Sequence, residues 1–280
     1  MASGLWLVAT PIGNAEDITL RALEVLAQAE ILACEDTRRL RKLMAMHGID
    51  RAGRELIAYN DQNGPQRRPV LMDHLRAGRS VAYTSDAGTP LIADPGYRLV
   101  NAAQDAEVPV HTVPGPSAVM AALTLAGLPT DRFLFLGFLP IKVGQRRREL
   151  DAVSSIEATL VIYESGKRVG KTLQDLSSVF GGNRDAAIVR EVTKLHEETR
   201  RATLFDLATE IGPDQTLRGE IVIVIGPPAN VSHGLEDIDT LLLDRLGSMS
   251  LRDAAVEVAS ITGHPRREIY ARALSLSASD

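Results

Sequence analysis

The sequence has little of several features that would narrow its function at once. It contains one cysteine in 280 residues, so no intramolecular disulfide can form, and such a chain suits a reducing compartment. The first apolar stretch, Leu5–Ala9, has no basic residue before it and is too short for a signal peptide or a membrane span. We therefore expect a cytoplasmic protein with no membrane attachment.

Metal and nucleotide motifs are also missing. The six histidines are scattered, and none has metal-ligand spacing to cysteine or glutamate, so we expect no metal site. No Gly-x-Gly-x-x-Gly motif is present, which leaves a nicotinamide or flavin site of Rossmann type unsupported. The segment 165–172 misses a phosphate-loop motif by one position. Because no later strand ends in an aspartate that would hold magnesium, we interpret this match as coincidental.

The chain is not basic, since its net charge is −5, so nucleic-acid binding would need local patches. Three basic groups are present: Arg38, Arg39 and Arg41 with Lys42; Lys142 with Arg146, Arg147 and Arg148; and Arg266, Arg267 and Arg272 near the end. A solvated helix face explains any one of them equally well. Aromatic residues make up only 4%, so base stacking would be sparse.

Apolar runs of four to six residues alternate with amphipathic segments through the first half. The runs 5–10, 30–34, 55–58, 80–85 and 110–113 predict buried strands, and 19–29, 37–47, 66–77 and 97–107 predict helices. This alternation favours a mostly parallel sheet covered by helices. The pattern resumes after residue 114, with predicted strands at 133–136, 159–163, 186–192 and 220–225 and predicted helices at 117–126, 145–154, 168–180 and 204–211.

The fold class is therefore α/β, with two α/β domains and a seam near residues 114–130. We place an N-terminal domain at 1–114, a second domain at 115–226, a Pro-rich linker at 227–234 and a helical extension at 235–280. Within the extension, helices are predicted at 235–246, 250–260 and 265–274, with a turn at Thr262-Gly263. This pattern fits a helix-turn-helix or a helical cap packed on the body.

Three glycine- and proline-rich loops directly follow predicted strands, at 10–14, 85–90 and 114–118. Glycine lets a ligand approach the backbone closely, and proline fixes the turn. Ligands of α/β proteins lie at the carboxyl ends of strands or between domains. Each loop alone is an ordinary turn, but three of them together suit a bulky, polar, nucleoside-like ligand.

The motifs in and after these loops resemble the ribosomal RNA small subunit methyltransferase I family of the tetrapyrrole-methylase superfamily. The resemblance covers residues 5–226 in order and rests on the segments 9–14, 17–19, 21–23, 35–38, 85–97, 114–118, 127–129, 137–140, 163–165, 190–194 and 219–220. It implies two α/β domains with S-adenosylmethionine in the cleft between them, a homodimer, and methylation of a cytidine ribose 2′-oxygen in the decoding region of 16S ribosomal RNA. A helix-turn-helix-like extension also occurs in that family.

By the same resemblance, the strand-end loops would hold the cofactor. The implied cofactor-binding residues are Pro11, Asp86, Gly88, Thr89, Leu91, Ile92, Ser117, Ala118, Phe138, Leu139, Tyr163, Gly219, Glu220 and Ile221. Two segments depart from the family pattern. Lys167 stands where a histidine is usual, and residues 62–64 read Gln-Asn-Gly in place of His-Asn-Glu, so no chemistry is assigned there.

Methyl transfer from a sulfonium is an in-line displacement, and a ribose hydroxyl needs a nearby base or cation to become a nucleophile. The candidates are Glu191 with Lys194 and Glu35 with Asp36, near predicted strand ends, although carboxylates paired to basic neighbours are common without catalysis. Two other functions stay open: a small-molecule methylase of the same superfamily and a non-catalytic ribosome-binding factor. The basic groups and the extension favour an RNA acceptor on the small ribosomal subunit.

Overall fold

The computed structural model describes residues 1–228, 235–262 and 264–277, and the chain divides into two compact units, Met1–Pro227 and Pro228–Asp280. Residues 229–234 of the predicted linker, and Gly263 of the predicted turn, lie outside the described residues. The domain boundaries drawn from the sequence stay a prediction.

The first sheet of the larger unit is wholly parallel and has the strand order β3-β2-β4-β1-β5. Its strands are β1 (Gly4–Val8), β2 (Ile31–Cys34), β3 (Glu55–Ala58), β4 (Ser80–Thr84) and β5 (Val110–Val113). The helices between them are α1 (Leu20–Gln28), α2 (Thr37–Met46), α3 (Gly64–Arg76) and α4 (Tyr97–Asp105). Thr84 is in register with both Val8 and Cys34, so β1, β2 and β4 end together at one edge.

Local side-chain chemistry sets where helices of this half begin. Thr19 accepts a hydrogen bond from the Ala22 N–H and so caps α1, while Asp36 accepts from the Arg38 N–H and caps α2. Apolar side chains of the helices pack on both faces of the sheet; Leu26 and Leu99 are completely buried. Because β1, β2 and β4 are covered on both sides, their apolar runs are nearly continuous.

The second sheet has the order β6-β7-β10-β8-β9 and is mostly antiparallel. After α5 (Ala118–Ala126) the elements are β6 (Phe133–Phe138), α6 (Val143–Val153), β7 (Thr159–Ser165), α7 (Val169–Phe180), β8 (Asp185–Arg190), β9 (Glu198–Thr203), α8 (Leu204–Ile211) and β10 (Glu220–Ile225). Within the described residues only β6 and β7 pair in parallel. The prediction of a mostly parallel sheet therefore holds for the first sheet and not for the second, and β9 was not predicted.

The smaller unit is formed by α9 (Leu235–Leu246), α10 (Leu251–Thr262) and α11 (Arg266–Ser277). Its three helices share an apolar core that includes Leu242, Val258 and Ile269. Arg272 bonds both carboxylate oxygens of Asp239 at 2.6 Å, which ties α11 to α9. In the part of the chain described by the structure, no helix is long and apolar enough to cross a membrane.

Candidate functional site

A cavity of about 390 Å³ lies where the ends of the first sheet's strands face the second sheet. Its walls are mostly apolar or small side chains with a few polar groups. The lining residues are Ile12, Ala87, Gly88, Thr89, Ile92, Ala93, Asp94, Ser117, Ala118, Phe138, Tyr163, Glu164, Ser165, Val192, Gly219, Glu220, Ile221 and Val222. A cavity of this size and composition suits a single small molecule. We call it the first cavity.

Most residues predicted to hold the cofactor line this cavity together. They are Gly88, Thr89, Ile92, Ser117, Ala118, Phe138, Tyr163, Gly219, Glu220 and Ile221. Pro11 and Asp86 line a neighbouring cavity instead. Leu91 and Leu139 line neither: Leu91 packs against the apolar core of the first sheet, and the Leu139 side chain is buried in the core of the second.

The loop after β4 is held in a fixed shape by its neighbours. Thr10 and Gly88 exchange two backbone hydrogen bonds of 2.9 Å, and the Thr89 hydroxyl donates to the Pro116 carbonyl at 3.0 Å. Leu91 and Ala93 have φ values of 74° and 60°, in the left-handed region that side chains disfavour. The three strand-end loops therefore form one connected wall of the first cavity, with backbone strain held in it.

Asp94 is the half-buried carboxyl group in this wall, and sequence reasoning did not single it out. Burial raises the pKa of Asp94 to about 6, against a hydrogen bond from Ser85 that lowers it. A desolvated carboxylate is stabilised by a neighbouring positive charge. The carboxylate of Asp94 thus gives the apolar cavity a group suited to a ligand's ammonium.

Aromatic rings form the opposite wall. The Tyr163 ring meets those of Phe135 and Phe138 edge to face, with centroids 4.8 and 5.5 Å away. Phe138 keeps 60% of its surface exposed although it lines the cavity. Burial, followed by the charge of Asp94, raises the pKa of Tyr163 to about 12, so its hydroxyl stays neutral. This wall can pack against a flat or apolar part of a ligand.

Glu164, the second buried acid of the cavity wall, is fully engaged by its neighbours. Its carboxylate accepts from the Ser165 N–H at 2.7 Å and from the Thr172 hydroxyl at 2.6 Å, with Arg168 3.3 Å away. These bonds join the end of β7 to α7. Lys167, the departure from the family pattern, is exposed and lines neither cavity.

Two of the predicted catalytic residues, Glu191 and Lys194, meet Glu220 in one network. The Lys194 ammonium lies 2.9 Å from Glu191 Oε1 and 2.8 Å from Glu220 Oε2, and the Glu220 N–H donates to Glu191 Oε1 at 2.9 Å. Partial burial disfavours the ammonium, but the hydrogen bonds to Glu220 and Glu191 outweigh it and raise the pKa of Lys194. The hydrogen bond from the Glu220 backbone, followed by that from Lys194, lowers the pKa of Glu191.

Backbone contacts fix this network against the first sheet. A Cβ on Gly219 would lie 2.5 Å from the Glu191 carboxyl carbon, and one on Gly13 would lie 2.5 Å from the Thr193 hydroxyl. The Asn14 N–H also donates to that Thr193 hydroxyl at 3.1 Å. The loops after β1 and β8 therefore touch without room for a further methyl group.

The other two candidate bases, Glu35 and Asp36, have pKa values shifted in opposite directions. Hydrogen bonds from Arg38 hold the pKa of Asp36 at about 2, and this carboxylate also caps α2, so it is a weak base. Burial, followed by the charge of Asp94, raises the pKa of Glu35 to about 7. Glu35 accepts from the Asp86 N–H at 3.3 Å and lines neither cavity.

A second cavity, of about 440 Å³, adjoins the first. Its lining residues are Thr10, Pro11, Ile12, Gly13, Ala15, Cys34, Asp36, Arg39, Leu40, Lys42, Leu43, Met46, Thr84, Ser85, Asp86, Ala87, Lys194 and Glu220. Ile12, Ala87 and Glu220 belong to both cavities. The Lys194 ammonium lies at this shared boundary because it is bonded to Glu220.

Two family models together match most of this chain. The family model described as Tetrapyrrole (Corrin/Porphyrin) Methylases matches residues 4–208, and the model described as RsmI C-terminal HTH domain matches residues 233–277. A Mesorhizobium japonicum protein named Ribosomal RNA small subunit methyltransferase I is 49% identical over 97% of this chain and 92% of its own length. The chain belongs to this methyltransferase family. A protein of the same name from Escherichia coli O157:H7 is 39% identical over 96% of this chain and 94% of its own.

Solved structures with this methyltransferase fold are more distant in sequence. Uroporphyrin-III C-methyl transferase from Thermus thermophilus, complexed with S-adenyl homocysteine, has a TM-score of 0.56 at 21% identity, over 80% of this chain and 96% of that one. The methyltransferase CobJ has a TM-score of 0.60 at 17% identity, over 81% and 95%. The family and the two-part α/β fold with a C-terminal extension are thus confirmed.

The basic residues predicted to contact RNA fall into different environments in this methyltransferase. Arg146 is buried and bonds Asp175 at 2.6 Å, so its prediction as an RNA contact is wrong. Arg38 is paired with Asp36 at 2.6 Å. The remaining predicted contacts are exposed at the surface: Arg39, Arg41, Arg147, Arg148, Arg266 and Arg267.

Proposed function

We propose that this S-adenosylmethionine-dependent methyltransferase methylates the 2′-oxygen of a cytidine ribose in the decoding region of 16S ribosomal RNA. The observation that carries the proposal is the position of Lys194. Its ammonium lies at the boundary of the two cavities, between Glu191 and Glu220. A donor in the first cavity and an acceptor in the second would meet beside this cation.

The first cavity fits the donor. S-adenosylmethionine supplies, when bound, a methyl group on a positively charged sulfur. The Asp94 carboxylate, desolvated in the wall, suits the ammonium of the amino-acid part. Phe138, Tyr163 and Ile221 form an apolar surface for the adenine. We assign cofactor binding to the first-cavity residues and drop Leu91 and Leu139, whose side chains face the core.

Lys194 would act as a cation and not as a base. Two carboxylates keep it protonated, so it stabilises negative charge that develops on the ribose oxygen during transfer. Glu220 lines both cavities, and in this proposal its carboxylate would accept the proton of the hydroxyl. Glu191 positions Lys194 and the Glu220 backbone at once.

The experiment is transfer of labelled methyl groups from S-adenosylmethionine to undermethylated small ribosomal subunits, followed by mapping of the modified nucleotide. We expect Lys194→Met to lower kcat by about 10²–10³-fold, as for other groups that stabilise a developing oxyanion, with unchanged cofactor affinity. Lys171→Met, at an exposed lysine of α7, is the matched control. Label on a tetrapyrrole with none on RNA would refute the RNA acceptor, and cofactor binding with no transfer would indicate a non-catalytic factor.

Exposed Arg39, Arg148, Arg266 and Arg267 are proposed to contact phosphates of the small-subunit RNA. A homodimer is proposed from the family resemblance. A ribosomal substrate implies a cytoplasmic location. Affinity for subunits that falls steeply with salt would support the phosphate contacts.

A further inference from the structure

The second cavity has the dimensions and chemistry of a site for one nucleoside unit. At about 440 Å³ it is within the range of small-molecule sites. Its lining combines the apolar side chains of Ile12, Leu40, Leu43 and Met46 with three hydroxyl-bearing residues, Thr10, Thr84 and Ser85. Apolar side chains together with fixed polar groups are what a base with its ribose requires.

The Thr84 hydroxyl is the observation that points to a ligand. Thr84 is 1% exposed, and its Oγ1 has no hydrogen-bond partner among the residues that the structure describes. The other two hydroxyls already have hydrogen-bond acceptors. Thr10 Oγ1 donates to the Ser85 carbonyl at 3.5 Å, and Ser85 Oγ donates to the Ala87 carbonyl at 3.2 Å. A buried hydroxyl left without a partner is destabilising, and a polar group of a ligand in the cavity would supply the missing hydrogen bond.

Charges at the rim favour a phosphate. Each acid that lines the second cavity has a basic partner. Asp36 is paired with Arg38 at 2.6 Å, Asp86 with Arg39 at 3.4 Å, and Glu220 with Lys194 at 2.8 Å. Among the residues that the structure describes, Lys42 has no acidic partner. Arg41 is exposed on the same helix and lines neither cavity.

We propose that the second cavity binds a single unstacked nucleotide of the RNA acceptor, with Lys42 and Arg39 on its phosphate and the Thr84 hydroxyl bonded to the nucleoside. This inference rests on the proposed function for the identity of the acceptor. Ile12, Ala87 and Glu220 then separate this nucleotide from the first cavity, and Lys194 lies at the point of contact. A base stacked in a helix cannot enter such a cavity, so the nucleotide is taken out of the stack.

The first test compares Lys42→Ala with Lys171→Ala, which makes the same substitution at an exposed lysine of α7 that lines neither cavity. The probes are a labelled single-stranded RNA oligonucleotide and undermethylated small subunits, measured by direct binding. One phosphate contact to a single strand contributes a slope of about 0.7 in log affinity against log salt, which is about fivefold at ~0.1 M salt. We expect that loss for Lys42→Ala alone, with S-adenosylmethionine affinity unchanged.

The second test is Thr84→Val, which removes the hydroxyl and keeps the shape. If the hydroxyl has no partner in the free protein, unfolding should occur at the same or a higher temperature, while RNA affinity falls by on the order of fivefold. A role confined to folding would move the unfolding temperature down and leave the affinity of the folded protein unchanged. That second pattern would overturn the assignment of Thr84.

Failure of this inference is distinguishable from failure of the proposed function. If the wild type methylates RNA and both Lys42→Ala and Thr84→Val keep its RNA affinity and KM, the nucleotide site is wrong and the function stands. If the wild type binds RNA through Lys42 and Thr84 but transfers no methyl group, the function is wrong and the site stands. A wild type that binds neither RNA probe refutes the site.

Discussion

Replacing Arg146 by methionine separates a structural role from an RNA contact. The side chain is 4% exposed and lies on the inner face of α6. Its Nε and Nη2 donate to Asp175 Oδ2 at 2.8 and 2.6 Å, and its Nη1 donates to the carbonyls of Pro140 and Ile141 at 3.3 and 3.2 Å. Methionine is shorter than arginine but keeps an unbranched apolar side chain, and it removes the charge and all donors.

The loss in free energy of unfolding comes from the groups that Arg146→Met leaves without a partner. Asp175 stays buried, with only the half-exposed Arg147 2.8 Å from Oδ1, and two carbonyls lose a donor. Removing one partner of a buried ion pair costs about 3–5 kcal/mol because the other charge stays desolvated. For a unit of this size, 1 kcal/mol corresponds to about 2–4 °C, so the melting temperature should fall by on the order of 10 °C.

Thermal unfolding followed by circular dichroism measures this shift, and RNA binding is measured below the transition. Arg148→Met, at an exposed arginine of the same helix, is the control and should change stability by less than about 0.5 kcal/mol. Folded Arg146→Met protein should bind RNA as the wild type does. A large loss of RNA affinity with an unchanged melting temperature would refute the reasoning and restore Arg146 as a surface contact.

Two further predictions concern the site's backbone and its acids. Gly219→Ala should lower the free energy of unfolding by about 1–2 kcal/mol because its φ is 101°, and its Cβ should displace Glu191 and so reduce methyl transfer. The control is Gly212→Ala, at φ 68° with open space around it. It should lose a similar amount of stability and keep its methyl-transfer activity. Burial raises the pKa of Glu35 from 4.5 to about 7, so the folded protein keeps a proton that the unfolded chain releases. Stability therefore falls as pH rises across that window. Melting curves between pH 4 and 8 should show a weaker fall in stability for Glu35→Gln and an unchanged fall for Glu24→Gln, at an exposed residue of α1. Equal slopes for the two variants would contradict this reasoning.

The first sheet could be predicted because strands buried on both faces alternate with amphipathic helices. Strand direction in the second sheet could not, since β7, β8 and β10 are equally apolar whichever way they run. The strand β9 has the sequence ETRRAT, with almost no apolar residue, because it lies at the sheet edge and is half-exposed. Its pairing with β8 comes from tertiary context.

The site was predicted less completely than the fold. Motifs marked the loops but not the direction of each side chain: at φ 74° Leu91 packs on the core although its neighbours line the cavity. Asp94 stood inside a recognised motif, and only its burial beside the cavity distinguishes it. For Arg146 a signal was available, because it precedes the buried Leu150 by one helical turn and so falls on the inner face of α6.

The close contact of Gly13 and Asn14 with Thr193 limits how far the loops after β1 and β8 can approach each other. Those loops already touch, so the two sheets have no travel left in the closing direction at this point, and opening them breaks the hydrogen bond to Asn14. Further approach of these two loops therefore cannot bring the acceptor to the cofactor. The work of bringing the reacting atoms together then falls on the RNA, and an acceptor whose nucleotide is already free of its helix costs a few kcal/mol less to use. Timing during ribosome assembly would thereby become a determinant of which subunits are modified.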